Sequence, residues 1–145
     1  MTVDQTKWDA RFLHMAEHEV AQWSKDPNAK VGCVIVSPYR HHITIGYNGL
    51  PRGIHDTATR LRDRVLKNRL SVHAELNAIL NSRTDLVGWT LYVTKAPCVD
   101  CALAMIQVGI ARIVCPNIDP LSTWAGSQRE AHNLLMEAGV GGTDV

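Results

Sequence analysis

TLYVTKAPCVDC, residues 90–101, places a run of apolar and β-branched residues directly before a Pro-Cys helix start. β-branched and aromatic residues favour a strand, which we predict over 90–94. Pro97 suits the first turn of a helix, where its missing N–H is not needed, so a helix is predicted over 97–108. A further strand is predicted over 111–115. A strand–helix–strand unit of this kind forms a right-handed parallel crossover and indicates an α/β fold.

Other segments add strands and helices around this unit. Apolar residues at helical spacing predict a helix over 8–24 and a last helix over 124–138. Two apolar stretches joined by a turn predict strands over 31–37 and 43–47. The element order therefore predicts one domain, residues 1–145, in which a mixed sheet has helices on both faces.

The polar stretch 48–70 lies between these strands and the next helix. It is long for a connection in a compact domain, which is typical of functional loops, and a short helix is predicted near 58–67. Ser71 is the predicted N-cap of a helix over 72–81.

Composition narrows the classes of partner and compartment. The 145 residues carry a formal net charge of +1, which argues against a broad electrostatic grip on nucleic acid or on an anionic membrane. No apolar run reaches membrane-spanning length, and the N-terminus lacks a signal-peptide pattern, so a cytoplasmic protein is predicted. Of the four cysteines, Cys33 and Cys115 lie inside apolar runs and are predicted core residues.

The remaining cysteines combine with one histidine into a candidate metal centre. Cys98 and Cys101 are three residues apart, hence on one face of a helical first turn, where the helix dipole favours thiolates. His73 opens another predicted helix. Together they supply the three protein ligands that a catalytic zinc site uses, with a fourth position open. Glu75 is the candidate acid–base residue beside them.

Each half of this pattern is ambiguous alone. A Cys-x-x-Cys pair is often a structural zinc hook or a redox pair, and a His-x-Glu pair carries little information. In this order, however, they form the signature of zinc nucleobase deaminases, His-x-Glu followed by Pro-Cys-x-x-Cys. No cysteine lies between Cys33 and Cys98, so one zinc ion per chain is predicted rather than two.

Four blocks carry a resemblance that covers nearly the whole chain: DPNAKVG (26–32), GYNGLPRG (46–53), VHAELNAI (72–79) and APCVDC (96–101). The sequence resembles the deoxycytidylate deaminases of the cytidine-deaminase-like superfamily, and phage-encoded members most of all. The resemblance implies a three-layer α/β/α sandwich with a central mixed sheet of about five strands. It also implies hydrolytic deamination of dCMP to dUMP and ammonia, which supplies dUMP for thymidylate synthesis. Zinc would activate water for attack on C4, while Glu75 moves protons to N3 and to the leaving amino group.

The resemblance also suggests residues that bind the nucleotide. The backbone around Ala74 and the tip residue Ala96 are expected at the base, and Asn48 at the deoxyribose. Asn28 and Lys30 are candidates for the sugar and the 5′-phosphate, with a turn asparagine and a solvated lysine as the alternative. Trp124 either walls the pocket or packs on the core.

Regulation and assembly are implied in the same way. Family members are often homo-hexamers that dCTP activates and dTTP inhibits, with Mg²⁺ as a candidate companion of a triphosphate effector. The segment Asn48, Gly49, Pro51, Arg52 and Gly53 would then lie between regulatory and active sites, and Arg52 is a candidate phosphate contact.

Other activities stay open at this point. The substrate could be dCTP, or the chain could be another nucleobase deaminase, such as a tRNA adenosine deaminase or a free-nucleoside cytidine deaminase. A tRNA adenosine deaminase needs a basic face for RNA, and a free-nucleoside cytidine deaminase needs no phosphate-binding group. A catalytically inactive zinc scaffold is a further alternative, against which the presence of Glu75 argues.

Overall fold

A five-stranded mixed sheet forms the centre of the computed structural model, which describes residues 3–144. The strands are β1 (Gly32–Val36), β2 (Ile43–Tyr47), β3 (Thr90–Val93), β4 (Arg112–Cys115) and β5 (Gly141–Asp144), in the order β2-β1-β3-β4-β5. β1 is antiparallel to both of its neighbours, whereas β3, β4 and β5 run parallel. The predicted parallel crossover and mixed sheet are confirmed.

Helices cover both faces of this sheet. They are α1 (Val3–His18), α2 (Ala58–Arg62), α3 (Arg64–Leu70), α4 (Ala74–Asn81), α5 (Val99–Gln107) and α6 (Ala125–Glu137), with a short 3₁₀ turn at Val20–Trp23. No helix within residues 3–144 has the length and apolar character needed to cross a membrane.

Alternating side chains of the strands divide the core into two layers, as the period of two along a strand requires. Ile35, Leu91 and Ile113 face the layer that also contains residues of α4, α5 and α6. Val34 and Tyr92 face the opposite layer, which α1 and the 3₁₀ turn close. The arrangement is the predicted α/β/α sandwich.

Three local predictions were wrong. The helix expected over 8–24 begins earlier, ends at His18, and is followed by the separate 3₁₀ turn. A Cβ at Gly32 would lie 2.2 Å from the Ala16 carbonyl oxygen and 2.6 Å from the Ala21 nitrogen. The absence of a side chain at Gly32 therefore lets the backbone at Ala16 and Ala21, where α1 gives way to the 3₁₀ turn, lie directly against β1.

Ser71 does not cap α4 but ends α3, because its N–H donates to the Lys67 carbonyl. Val72 then pairs with Gly49 in an isolated antiparallel bridge, which keeps the chain extended and makes His73 the N-cap of α4. The single helix near 58–67 is instead α2 and α3, separated by Asp63, whose side chain accepts from the Leu66 N–H.

β5 was not predicted as a strand, because Gly-Gly-Thr-Asp has little strand propensity. Its parallel pairing with β4 provides what the local sequence lacks.

A glycine also sets the distance between β2 and α4. A Cβ at Gly46 would lie 2.3 Å from the Ala78 nitrogen and 2.4 Å from the Ala74 carbonyl oxygen. Thr44 Oγ1 donates to the Ala78 carbonyl at 2.9 Å, and Asn77 Nδ2 donates to the Tyr47 carbonyl at 2.7 Å. The helix is thus held against the strand by backbone contact and two hydrogen bonds.

Gly46→Ala should therefore lower the free energy of unfolding by about 3 kcal/mol, the upper range for overpacking, because backbone atoms cannot move aside like a side chain. Gly126→Ala is the matched control, since a Cβ there meets nothing within 4 Å and α6 gains helix propensity. Urea unfolding of both variants measures the difference. Equal midpoints for the two variants would contradict the assigned role of Gly46.

Candidate metal centre and active site

Two helices begin at the same place. His73 is the N-cap of α4 and Cys98 is the N-cap of α5, both with extended backbone, and Cys101 follows in the first turn of α5. The His73 side chain makes no capping hydrogen bond to α4, and it joins the two cysteines in one close group. The positive ends of two helix dipoles therefore meet at these side chains, which favours thiolate over thiol.

The three side chains form one compact donor set. Nδ1 of His73 lies 3.4 Å from Sγ of Cys98 and 3.4 Å from Sγ of Cys101. A tetrahedral zinc with ordinary bond lengths separates its nitrogen and sulfur ligands by about 3.5 Å. Among residues 4–142, whose side chains the structure describes, no other His, Cys, Asp or Glu belongs to this group, whose ligand atoms lie within 4.8 Å of one another. The donors therefore fit a metal with three protein ligands.

Their protonation is strongly coupled. Hydrogen bonds from Cys101 and from His73 together outweigh the opposing effect of burial and lower the pKa of the Cys98 thiol to about 4. The same hydrogen bond and burial raise the pKa of Cys101 far above its ordinary value. A hydrogen bond to Cys98 also raises the pKa of His73. Metal binding to such a set must release protons, which makes it pH-dependent.

Glu75 lies in the first turn of α4 and is only 4% exposed. Burial raises the pKa of its carboxyl group, while a hydrogen bond to its own backbone N–H and the charge of His73 oppose the rise. It stands outside the His–Cys–Cys donor set yet lines the same pocket as His73 and Cys98. The site therefore combines a donor set for a metal with a separate buried acid.

Comparison with known proteins identifies the family to which this site belongs. A family model described as "Cytidine and deoxycytidylate deaminase zinc-binding region" matches residues 6–116. The chain belongs to this family. The predicted family is confirmed.

Two relatives illustrate the range of similarity. An Aliivibrio fischeri protein named "Uncharacterized deaminase in luxG 3'region" is 40% identical over 137 residues, covering 93% of this chain and 91% of that protein. Human deoxycytidylate deaminase is 41% identical over 118 residues, covering 77% of this chain and 65% of that protein.

A solved structure supports the fold. The dCMP deaminase of cyanophage S-TIM5 in apo form has a TM-score of 0.75 and 25% identity, and the match covers 100% of both chains. The same cyanophage protein in complex with dCMP and dUMP has a TM-score of 0.75 and 23% identity. This neighbour agrees with the predicted cytidine-deaminase-like fold and the predicted likeness to phage-encoded members.

In this deaminase-family chain, four of the predicted substrate residues line the pocket: Asn48, Ala74, Ala96 and Trp124. The Trp124 ring stands edge-on to His73, with ring centroids 5.6 Å apart. Gln128 Nε2 donates to the Ala96 carbonyl at 2.9 Å and so fixes the tip of the loop before α5.

Other predicted residues lie elsewhere. Asn28 and Lys30 are exposed and do not line the pocket. Pro51, Arg52 and Gly53 are also exposed and outside it. The side chain of Arg52 donates to Asn81 Oδ1 at 3.3 Å.

Sequence reasoning missed several residues of the pocket: Asp26, Asn68, Ser71, Lys95 and Gln128. Asp26 belongs to a matched block and Lys95 stands three residues before Cys98, so both positions carried a signal. Asn68 and Ser71 carried none, because only the packing of α3 brings them to the site.

Asp26 is the centre of a buried polar network at the side of the pocket. Its Oδ1 accepts from the N–H groups of Asn28 and Ala29, at 2.8 and 3.0 Å, and from Lys67 Nζ at 2.8 Å. Both members of the Lys67–Asp26 ion pair are less than a tenth exposed. Since Lys67 lies on α3, the pair fastens the long connection to the segment that precedes β1.

Asn48 completes this network. Its Oδ1 accepts from the Val31 N–H at 2.8 Å, and its Nδ2 donates to the Ala29 carbonyl at 2.8 Å and toward Asp26 Oδ2 at 3.4 Å. Both amide hydrogens of Asn48 are thus engaged within the protein. Any contact with a sugar would have to use the remaining acceptor capacity of Oδ1.

Ionisation of Asp26 stabilises the fold. Burial alone would raise its pKa, but the hydrogen bond from Lys67 and the two backbone N–H groups outweigh it, so the pKa lies below the ordinary 3.8. This contribution is fully present above the pKa of the unfolded chain. It is lost as the pH falls through the lower pKa of the folded state.

Lys67→Met should lower the free energy of unfolding by about 3 kcal/mol, because the Asp26 carboxylate then stays buried without its cation. Lys25→Met is the matched control: it removes the exposed pair with Asp56, where Lys25 is 71% exposed, and should have little effect. Urea unfolding at pH 7 measures both. If the two variants lose equal stability, the buried pair does not have the importance assigned to it.

Proposed function

We propose that this chain catalyses the zinc-dependent hydrolytic deamination of dCMP to dUMP and ammonia in the cytoplasm, and so supplies dUMP for thymidylate synthesis. The observation that carries the proposal is the His73–Cys98–Cys101 donor set beside the buried Glu75 in one pocket. Relatives named deoxycytidylate deaminase and the cyanophage complex with dCMP and dUMP support the choice of substrate.

His73, Cys98 and Cys101 would hold the zinc ion. When bound, zinc supplies a Lewis acid that activates water at neutral pH. Two thiolates balance the charge of the metal, so this site acidifies water less than an all-histidine site does. A neighbouring proton acceptor is therefore needed, and Glu75 is the carboxylate in reach.

Glu75 would take a proton from the attacking water and deliver protons to N3 and to the departing amino group. The oxygen of water forms the new bond to C4, and the C4–N4 bond breaks. Ammonia departs, and C4 becomes a carbonyl carbon of uracil. Burial of Glu75 suits this role, because a desolvated carboxyl group exchanges protons more readily near neutral pH than an exposed one does.

The pocket walls would orient the base. The backbone at Ala74 and Ala96 offers polar groups beside the donor set, and Trp124 limits the space next to His73. Asn48 would shape the sugar side, both through Oδ1 and by holding Ala29 and Val31 in place.

Glu75→Gln should lower kcat by roughly 10²–10⁴-fold, the range for loss of general acid–base catalysis, while one zinc ion per chain remains bound. Glu130→Gln, an exposed change on α6, is the control for loss of a carboxylate and should keep full activity. Cys101→Ser should instead lose the metal. Metal analysis that finds no zinc in Glu75→Gln would make Glu75 a ligand, and two zinc ions in the wild type would contradict the single site.

We also propose that the chain forms a homo-hexamer that dCTP activates and dTTP inhibits. The resemblance to deoxycytidylate deaminases suggests the assembly and the effectors. A route from the segment 49–53 to the site is offered by the Gly49–Val72 bridge, in which the Val72 N–H donates to the Gly49 carbonyl at 2.7 Å. Gly49 follows Asn48, and Val72 precedes His73. An effector that moves the segment 49–53 would therefore act on a sugar-side residue and a metal ligand together.

Saturating dTTP should lower the rate of dCMP deamination, and dCTP should restore it. Arg52→Gln should raise the dTTP concentration for half-maximal inhibition roughly tenfold, as loss of a charged hydrogen bond implies. Arg83→Gln, an exposed change outside the matched block, is the control. A rate curve that saturating dTTP leaves unchanged would rule out this regulation.

A further inference from the structure

Lys95 is a cationic side chain that lines the pocket and has no role in the deamination proposed above. Among residues 3–144, no other lysine or arginine lines it. Lys67 lies behind the wall and is neutralised by Asp26 at 2.8 Å. Lys30, the phosphate candidate from the sequence, is exposed and outside the pocket.

We infer that Lys95 binds the 5′-phosphate of the substrate and thereby makes the site select a nucleotide over a nucleoside. This inference rests on the proposed function, since it names the group that recognises the phosphate of dCMP. It replaces Asn28 and Lys30 as the expected phosphate contacts.

The charge of Lys95 is available to a ligand. No carboxylate of the described residues lies within 4.0 Å of its Nζ, whereas Lys25, Lys67 and Arg112 all have acidic partners. Lys95 is half-buried, and its Nζ lies 5.7 Å from the centroid of the Trp124 ring. Partial removal of water strengthens the attraction between such a cation and a phosphate.

The position of Lys95 suits the length of a nucleotide. The centroid of the Trp124 ring lies 5.6 Å from that of His73 and 5.7 Å from Nζ of Lys95. The metal ligand His73 and the cation Lys95 are thus neighbours of the same indole ring, so one mononucleotide can extend from the donor set to Lys95. Lys95 also stands three residues before Cys98, which limits the distance between their Cα atoms to about 10 Å.

The backbone next to Lys95 is held in place before any ligand binds. The next residue, Ala96, accepts a hydrogen bond from Gln128 at 2.9 Å, and Pro97 restricts the chain after it. The flexible stem of Lys95 thus starts from a fixed point, which reduces the ordering needed when a phosphate binds.

The test compares dCMP with deoxycytidine in Lys95→Met and in Lys7→Met, an exposed change on α1. Lys95→Met should lower kcat/KM for dCMP roughly 10- to 100-fold, mainly through KM, and leave deoxycytidine turnover unchanged. Lys95→Arg should keep most of the preference for dCMP, because it keeps the charge. Added salt should raise the KM for dCMP in the wild type but much less in Lys95→Met.

Equal loss on dCMP and deoxycytidine would overturn the inference, because Lys95 would then act only by supporting the Trp124 wall. Loss of the dCMP preference in Lys30→Met but not in Lys95→Met would also overturn it. If the wild type deaminates neither substrate, the proposed function fails, and calorimetry then decides on Lys95. In that case dUMP must bind more tightly than deoxyuridine to the wild type but not to Lys95→Met; any other pattern rejects the phosphate role.

Discussion

The start of α4 meets the start of α5, where Nδ1 of His73 lies 3.4 Å from both cysteine sulfurs. Each helix is placed by a different part of the sheet. Backbone contact at Gly46 and two hydrogen bonds hold α4 on β2, whereas α5 follows β3 after five residues. The Ser127 hydroxyl accepts from the Val99 N–H, so α6 also fixes the beginning of α5. The donor set exists only because the sheet sets the distance between these two helix starts.

The long connection is fastened to this frame by a buried ion pair rather than by apolar packing. Burying two charges costs desolvation energy, and a buried pair often stabilises no better than apolar residues of similar size. The pair of Asp26 and Lys67 does, however, have a geometric consequence. It fixes the loop 26–31 through three bonds to one carboxylate oxygen, and the same loop is held by Asn48. Hydrogen bonds to Asp26 and Asn48 thus determine the shape of this pocket wall.

Much of this could be predicted from the sequence because the chemistry is local. Cys98 and Cys101 stand at the N-cap and in the first turn of α5, and His73 and Glu75 at the same positions of α4, so the two short motifs in this order indicated the metal centre. Pro97, predicted in the first turn, instead precedes the N-cap. Properties that depend on distant partners were not predictable. The glycine-rich β5 is a strand only through its pairing with β4, and Ser71 ends a helix because Val72 pairs with Gly49. Asn48 matched the family block, yet its amide bonds to the loop 26–31 emerge only when β2 brings it there.

Charge is unevenly distributed along the pocket, and this distribution connects the two proposals. Two thiolates would balance a divalent metal, and Lys67 balances Asp26, so neither pair leaves a net charge. Glu75 and Lys95 remain, with the acid beside the donor set and the cation next to the Trp124 ring. A substrate that exchanges protons at one end and carries a phosphate at the other matches this polarity. A neutral nucleoside would leave Lys95 facing no counter-charge, so discrimination would arise from a single side chain rather than from the overall charge of +1.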